Sequence, residues 1–127
     1  MGGRWNTPGR AVVYASQSVA LAILENLVHM TREDYPNGYV IVQATIPESV
    51  QVSKLEPRYQ NAGGLDQTQH AGDAWLASNR SAVIEVPSFV VTGESNFLLN
   101  PLHPEFRHII VSLPTTFLFD GRLFNRS

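Results

Sequence analysis

The chain has 127 residues, room for one ordinary domain and not for two. Hydrophobic residues make up 43% and charged residues 16%, with a net charge of −2. That balance excludes a disordered chain and a basic surface built to grip nucleic acid, and the sparse charge points to a surface partly covered by a partner. Residues 2–8 form a glycine-led turn holding Arg4 and Trp5, and Thr7-Pro8-Gly9 is a second turn signal. A short strand is expected over Ala11–Tyr14, after which Ser16 or Ser18 caps a helix running to about Met30. Asp34–Gly38 closes that unit, and Tyr39–Ile46 is β-branched and apolar, a strand by composition. Pro47–Asp66 reads as polar and irregular, loosest at Asn61–Gly64; Thr68 then caps a shorter helix carrying Ala71, Ala74, Trp75 and Leu76. Ser81–Val86 is a strand stopped by Pro87, Phe89–Val91 continues extended, and Gly93 turns the chain into a short Phe97–Leu99 segment. Asn100–Pro104 is a rigid corner, since each proline fixes its own φ and biases its predecessor. His108–Leu113 and Thr116–Phe119 end the chain as strands around Pro114. Helices and strands do not alternate regularly, so the expected class is α+β, with residues 1–127 forming one domain.

Cysteine is absent, so disulfides, thiolate zinc sites and cysteine nucleophiles are ruled out. The opening residues carry no apolar stretch and the longest apolar run, Val19–Leu24, is far below the ~20 residues of a membrane helix. A cytoplasmic location with no membrane contact is therefore expected. Eight of the nine cationic side chains are arginine, the ninth being Lys54, and arginine suits two-pronged contacts with phosphate or carboxylate.

Glu25 is the most informative residue. From Val19 to Met30 its helix is apolar on nearly every face, the pattern of a buried helix. A carboxylate projecting from such a face needs a cation, hydrogen bonds or a proton, and is a functional group, half of a structural ion pair with an arginine, or a rim residue that reaches water. Arg4, flanked by Gly2, Gly3 and Trp5, sits where backbone approaches a ligand closely and where a guanidinium grips a diphosphate. Trp5 itself reads as packing. Ser88 follows Pro87 directly after a strand, a place where hydroxyls are held rigidly and often bond local backbone. A Ser88–His103–Asp120 triad can be written, yet no Gly-x-Ser-x-Gly elbow accompanies it. His103 reads better as a brace for its corner. The four histidines lack zinc-binding spacing, and neither a phosphate loop nor a dinucleotide fingerprint is present.

Seven stretches taken together resemble a known family: Gly-Gly-Arg-Trp-Asn (2–6), Val-Val-Tyr (12–14), Ala-Ile-Leu-Glu-Asn-Leu-Val-His (22–29), Gly-Asp-Ala-Trp-Leu (72–76), Val-Pro-Ser (86–88), Asn-Phe-Leu-Leu-Asn-Pro-Leu-His-Pro-Glu-Phe (96–106) and Phe-Asp-Gly-Arg-Leu (119–123). In this order they are similar to the RES-domain family, named for an arginine, a glutamate and a serine. The resemblance implies the toxin half of a type II toxin–antitoxin pair with an ADP-ribosyltransferase-like fold, short mixed strands in two small sheets and flanking helices. It further implies consumption of NAD without a metal. It places the family arginine on Arg4, the tyrosine on Tyr14, the glutamate on Glu25 and the serine on Ser88. It also implies a helical antitoxin with its own DNA-binding domain, and an oligomer formed within that complex. Family members usually begin with an earlier strand carrying another arginine, so that strand is expected to be missing here. The competing expectation is a catalytically inactive, truncated module that only binds a protein partner.

In the implied chemistry Glu25 supports the ribose as nicotinamide leaves, by its charge or by holding the ribose hydroxyls, and Arg4 clamps the pyrophosphate. Tyr14 stacks on or hydrogen-bonds the nicotinamide side, while Ser88 bonds a ribose hydroxyl or orients Glu25. The acceptor, whether water, phosphate or a protein side chain, stays open.

Overall fold

Strand β5 (Val83–Pro87) is the most apolar stretch of the second half, and its alternate residues serve two different cores. Ile84 and Val86 point to one face of the sheet, with Leu98 from the neighbouring strand β6 (Ser95–Leu99). Val83 points to the other face, with its cross-strand partner Leu99. This period-two alternation is what a strand buried on both faces requires. The computed structural model describes residues 3–28, 39–55 and 64–123. Four strands form a mixed sheet in the order β1–β6–β5–β4, where β1 is Val13–Ser16 and β4 is Val52–Lys54. Only the β4–β5 pair is parallel; β5–β6 and β6–β1 are antiparallel.

On the face of Ile84, helix α2 (Leu65–Ser78) lays Ala71 and Trp75 against Trp5, Leu55, Val86 and Leu98. Trp75 is only 2% exposed and its indole N–H donates to Ser81 Oγ at 3.0 Å, so the polar tip of the ring is satisfied. The helix ends at Asn79, whose φ of 53° is the left-handed cap geometry that asparagine tolerates. On the face of Val83, Val50, Ala82, Leu99 and Ile109 form the second core. The corner at Asn100–Pro104 leads into a 3₁₀ turn over Pro104–His108, and His103 braces it by accepting from the Glu105 amide and meeting the Asn79 carbonyl, both at 3.0 Å.

The α+β class stands, and several local expectations are corrected. The single strand expected over 39–46 is two, β2 (Val40–Ile41) and β3 (Ala44–Thr45), paired with β8 (Thr115–Thr116) and β7 (Ile110–Val111). Five steps from Val40 to Thr45 run against six from Ile110 to Thr116, so the second strand carries one extra residue. Pro114 lies in that gap and has no amide hydrogen to give the ladder. Among the described residues the strands thus make one sheet of four and two short ribbons, where two small sheets were expected. Strand β4 lies in the stretch read as irregular; it is three residues long and its order comes from pairing with β5.

Helix α2 begins at Leu65 and has Gly64 as its N-cap, so Thr68 is inside it. The Thr68 hydroxyl is used elsewhere, within 2.5 Å of the Arg4 carbonyl and 3.0 Å of the Leu65 carbonyl. Phe89–Val91 is a turn and not an extension of β5, because Ser88 Oγ captures the Val90 and Val91 amides.

Helix α1 (Val19–Leu27) is capped by Ser18, whose Oγ accepts from the Leu21 amide at 3.1 Å. The expectation that α1 is buried on every side is overturned. It packs beside the edge strand β1, and Leu21 alone among its residues is buried, while Leu24 is 42% exposed. The expected extension to Met30, the Asp34–Gly38 turn and the loose residues Asn61–Gly63 lie outside the described residues. No helix among the described residues is long and apolar enough to cross a membrane.

Candidate active site

The residues singled out from sequence converge at one end of the sheet face that carries Ile84. Across β1, β6 and β5 the row Ser16–Asn96–Val86 lies side by side, and the chain leaves β5 two residues later at Ser88. Helix α1 returns over this row from β1 and brings Glu25 to it, half-buried. Glu25 Oε2 accepts from Ser88 Oγ at 2.7 Å and from Asn96 Nδ2 at 2.6 Å. Both donors are neutral, and among the described residues no arginine pairs with the carboxylate, the alternative that sequence left open.

Ser88 is directional. Its oxygen accepts the Val90 and Val91 amides at 3.0 Å each, which occupies both lone pairs and leaves its hydrogen for Glu25. The local backbone bonding expected of such a serine therefore occurs, and it aims the hydroxyl.

Arg4 is fixed through its backbone. The 3–6 turn closes with the Gly3 amide donating to the Asn6 carbonyl at 3.0 Å, while helix α2 holds the turn through Thr68 on the Arg4 carbonyl and Gln69 Nε2 on the Gly3 carbonyl at 2.9 Å. Gly72 is indispensable to this approach, since a Cβ there would sit 1.6 Å from the Trp5 carbonyl oxygen. The Arg4 guanidinium lies over the Phe89 ring, 4.0 Å from its centroid, and Trp5 stacks on the same ring at 6.0 Å. Phe89 follows Ser88 in the chain, so Arg4 and Glu25 belong to one locale. No carboxylate among the described residues neutralises Arg4.

The Tyr14 hydroxyl supports the turn from below: it accepts from the Trp5 amide at 3.2 Å and donates to Asn6 Oδ1. Burial pushes its pKa above the ordinary tyrosine value; the Trp5 amide opposes that and the charge of Asp73 adds to it. A Cβ on Gly3 would lie 2.5 Å from this hydroxyl, which explains the glycine before Arg4.

The Ser88–His103–Asp120 triad does not exist. Ser88 is committed to Glu25, His103 to its corner and Asp120 to Arg122 at 2.7 Å. Among the described residues no group of three or more His, Asp or Glu side chains gathers as metal ligands would. Asn96 and Phe89 were not singled out from sequence as site residues, and Ser16 was read only as a possible helix cap. The available signal was parity: Asn96 is a polar residue in step with Leu98, on the inward face of an apolar strand.

The sequence profile of the RES domain matches residues 1–120. The chain belongs to the RES domain family. A curated relative from Yersinia enterocolitica, Toxin Res, is 37% identical over 128 residues, spanning 96% of this chain and 84% of its own. Another, the Prs ADP-ribosylating toxin of Sphingobium, is 35% identical over 133 residues, covering 99% of this chain and 83% of its own. A Toxin Res of Pseudomonas putida is 33% identical over 127 residues, covering 96% and 86%. In this RES domain the arginine, glutamate and serine expected from the resemblance, Arg4, Glu25 and Ser88, lie around one turn of chain at the end of β5.

Proposed function

We propose that this RES domain is the toxin of a type II toxin–antitoxin pair, a single cytoplasmic domain of the ADP-ribosyltransferase kind that breaks the nicotinamide–ribose bond of NAD. The observation that carries the reading is the Glu25 carboxylate, half-buried and held by two neutral donors in one locale with Arg4, which no carboxylate among the described residues neutralises. The name of the Sphingobium relative supports NAD as substrate, because ADP-ribosyl transfer begins with rupture of that bond. The residues present suit the dinucleotide: a carboxylate for the sugar, a guanidinium for the diphosphate and aromatic faces for the ring.

Nicotinamide in NAD is a cationic pyridinium. As its bond to ribose breaks it takes the bonding pair and departs neutral, so neither a general acid nor a metal is needed for the leaving group. Positive charge grows on the ribose carbon, and the fixed negative charge of Glu25 stabilises it. The acceptor, water, phosphate or a protein side chain, then bonds to that carbon and gives up its proton. Arg4 keeps its face on Phe89 while its N–H edge clamps the pyrophosphate. The Tyr14 hydroxyl is engaged with the 3–6 turn, so its exposed ring offers stacking to the nicotinamide side. Ser88 orients Glu25 and keeps no lone pair for a ribose hydroxyl.

The test is nicotinamide release from NAD by the purified chain. Glu25→Gln retains an oxygen for both donors and removes the charge, so turnover should fall by about a hundredfold or more with the circular dichroism unchanged. Arg4→Ala should raise KM by about tenfold, the value of a lost charge-assisted contact. A wild-type chain that releases no nicotinamide, or a Gln variant with full turnover, overturns the reading.

One observation favours a partner as well. Leu24 and Val28 are exposed at α1, the helix that carries Glu25, and this apolar surface suits coverage by a helical antitoxin. A chain that binds such a partner yet leaves NAD intact would be the inactive binding module.

A further inference from the structure

Both groups that touch Glu25 reach the same oxygen. Ser88 and Asn96 donate to Oε2, and among the described residues nothing is placed on Oε1. The directions of these bonds are forced. A carboxylate only accepts, so Asn96 turns its NH2 towards Glu25 and its carbonyl towards Ser16, whose hydroxyl donates to Oδ1 at 2.7 Å. Ser16 and Asn96 are cross-strand partners on β1 and β6, so a rigid sheet, not a loop, holds the amide in place.

The terminal torsion of a glutamate is broad and roughly two-fold, so a carboxylate on a lightly covered helix turns freely unless something stops it. Two donors on one oxygen stop it. They also leave its charge intact, whereas an arginine partner would cancel the field that a cationic transition state needs.

We infer that Asn96, aimed by Ser16, is a positioning residue for NAD cleavage: with Ser88 it pins Oε2 and leaves Oε1 as the oxygen that meets the ribose. This deepens the NAD-cleaving reading and rests on it. The residue touches no substrate atom and acts only through Glu25.

Four variants test it: Asn96→Ala, Asn96→Asp, Ser16→Ala and the Ser16→Ala/Asn96→Ala double. Asn96→Ala should lower kcat by about tenfold to a hundredfold, the worth of a hydrogen bond to a charged group, with KM nearly unchanged. Asn96→Asp sets a second carboxylate against Oε2, so the two titrate as a coupled pair and the acid limb of kcat should move up by at least about one pH unit. Ser16→Ala alone should cost about threefold, and adding it to Asn96→Ala should cost nothing more, since its only target is gone. An unchanged kcat in Asn96→Ala, an unmoved acid limb in Asn96→Asp, or multiplying losses in the double variant would each overturn the inference. Should the Asn96 variants fail to fold, Ser16→Ala leaves β6 untouched, and an undiminished kcat there overturns it equally.

A second readout needs no turnover. In carbon-13 spectra of the labelled glutamate carboxylates the Glu25 resonance should move in Asn96→Ala, because one of its two donors is gone. A wild-type chain that leaves NAD intact sinks the proposed function, while an unmoved Glu25 resonance sinks the positioning role.

Discussion

The two α-helices among the described residues of this RES domain are held in opposite ways. Helix α2 buries Thr68, Ala71, Gly72 and Trp75 against the sheet, and its backbone abuts the Trp5 carbonyl. Helix α1 buries Leu21 alone and leaves Val19, Leu24 and Val28 exposed. Each carries or anchors one half of the candidate site: α2 fixes the turn of Arg4, and α1 delivers Glu25. A well-packed element holds its group through the core. A lightly packed one needs polar ties, and Ser88 and Asn96 supply them. Precision at Glu25 is therefore bought with hydrogen bonds, where precision at Arg4 comes from burial.

Breaking the packed side should have the largest effect. Trp75→Ala removes the biggest fully buried side chain and orphans the Ser81 contact, so it should cost about 3–5 kcal/mol in a urea melt. Tyr14→Phe tests the junction between the two regions. Loss of the hydroxyl that joins the Trp5 amide to Asn6 should cost about 1 kcal/mol near neutral pH. Its pH dependence has a definite sign. Folding raises the Tyr14 pKa, so both states are neutral well below pH ~10; above that the unfolded chain ionises first and stability falls. The Phe variant should lack that alkaline loss, which melts compared across the alkaline range will reveal. On the lightly packed side Leu24→Ser should cost no more than about 1 kcal/mol, because much of the side chain is already in water. The same substitution should weaken capture of a helical partner if α1 is the covered surface.

What sequence made legible were groups whose chemistry conflicts with their neighbourhood. An acid in an apolar helix, an arginine among glycines and a serine after a strand-ending proline each break a local pattern, and all three gather at the end of β5. Asn96 escaped because its importance is a matter of register: nothing near it in the chain says that it will lie beside Ser16 and beneath α1. Phe89 escaped for a like reason, since its ring matters only once the 3–6 turn has come to rest on it. The burial of α1 was misjudged because periodicity reports how apolar a helix is, not how many layers of protein cover it. Strand β4 has three residues, with order borrowed from β5, so composition could not announce it.

The missing side chain at Gly72 has one more consequence. With main chain resting on main chain there, the arginine turn and the long helix form a block without a joint. Any give at the candidate site must then come from the side of Glu25, so amide exchange should be fastest in the short helix and slow across the block, leaving one yielding wall and one fixed.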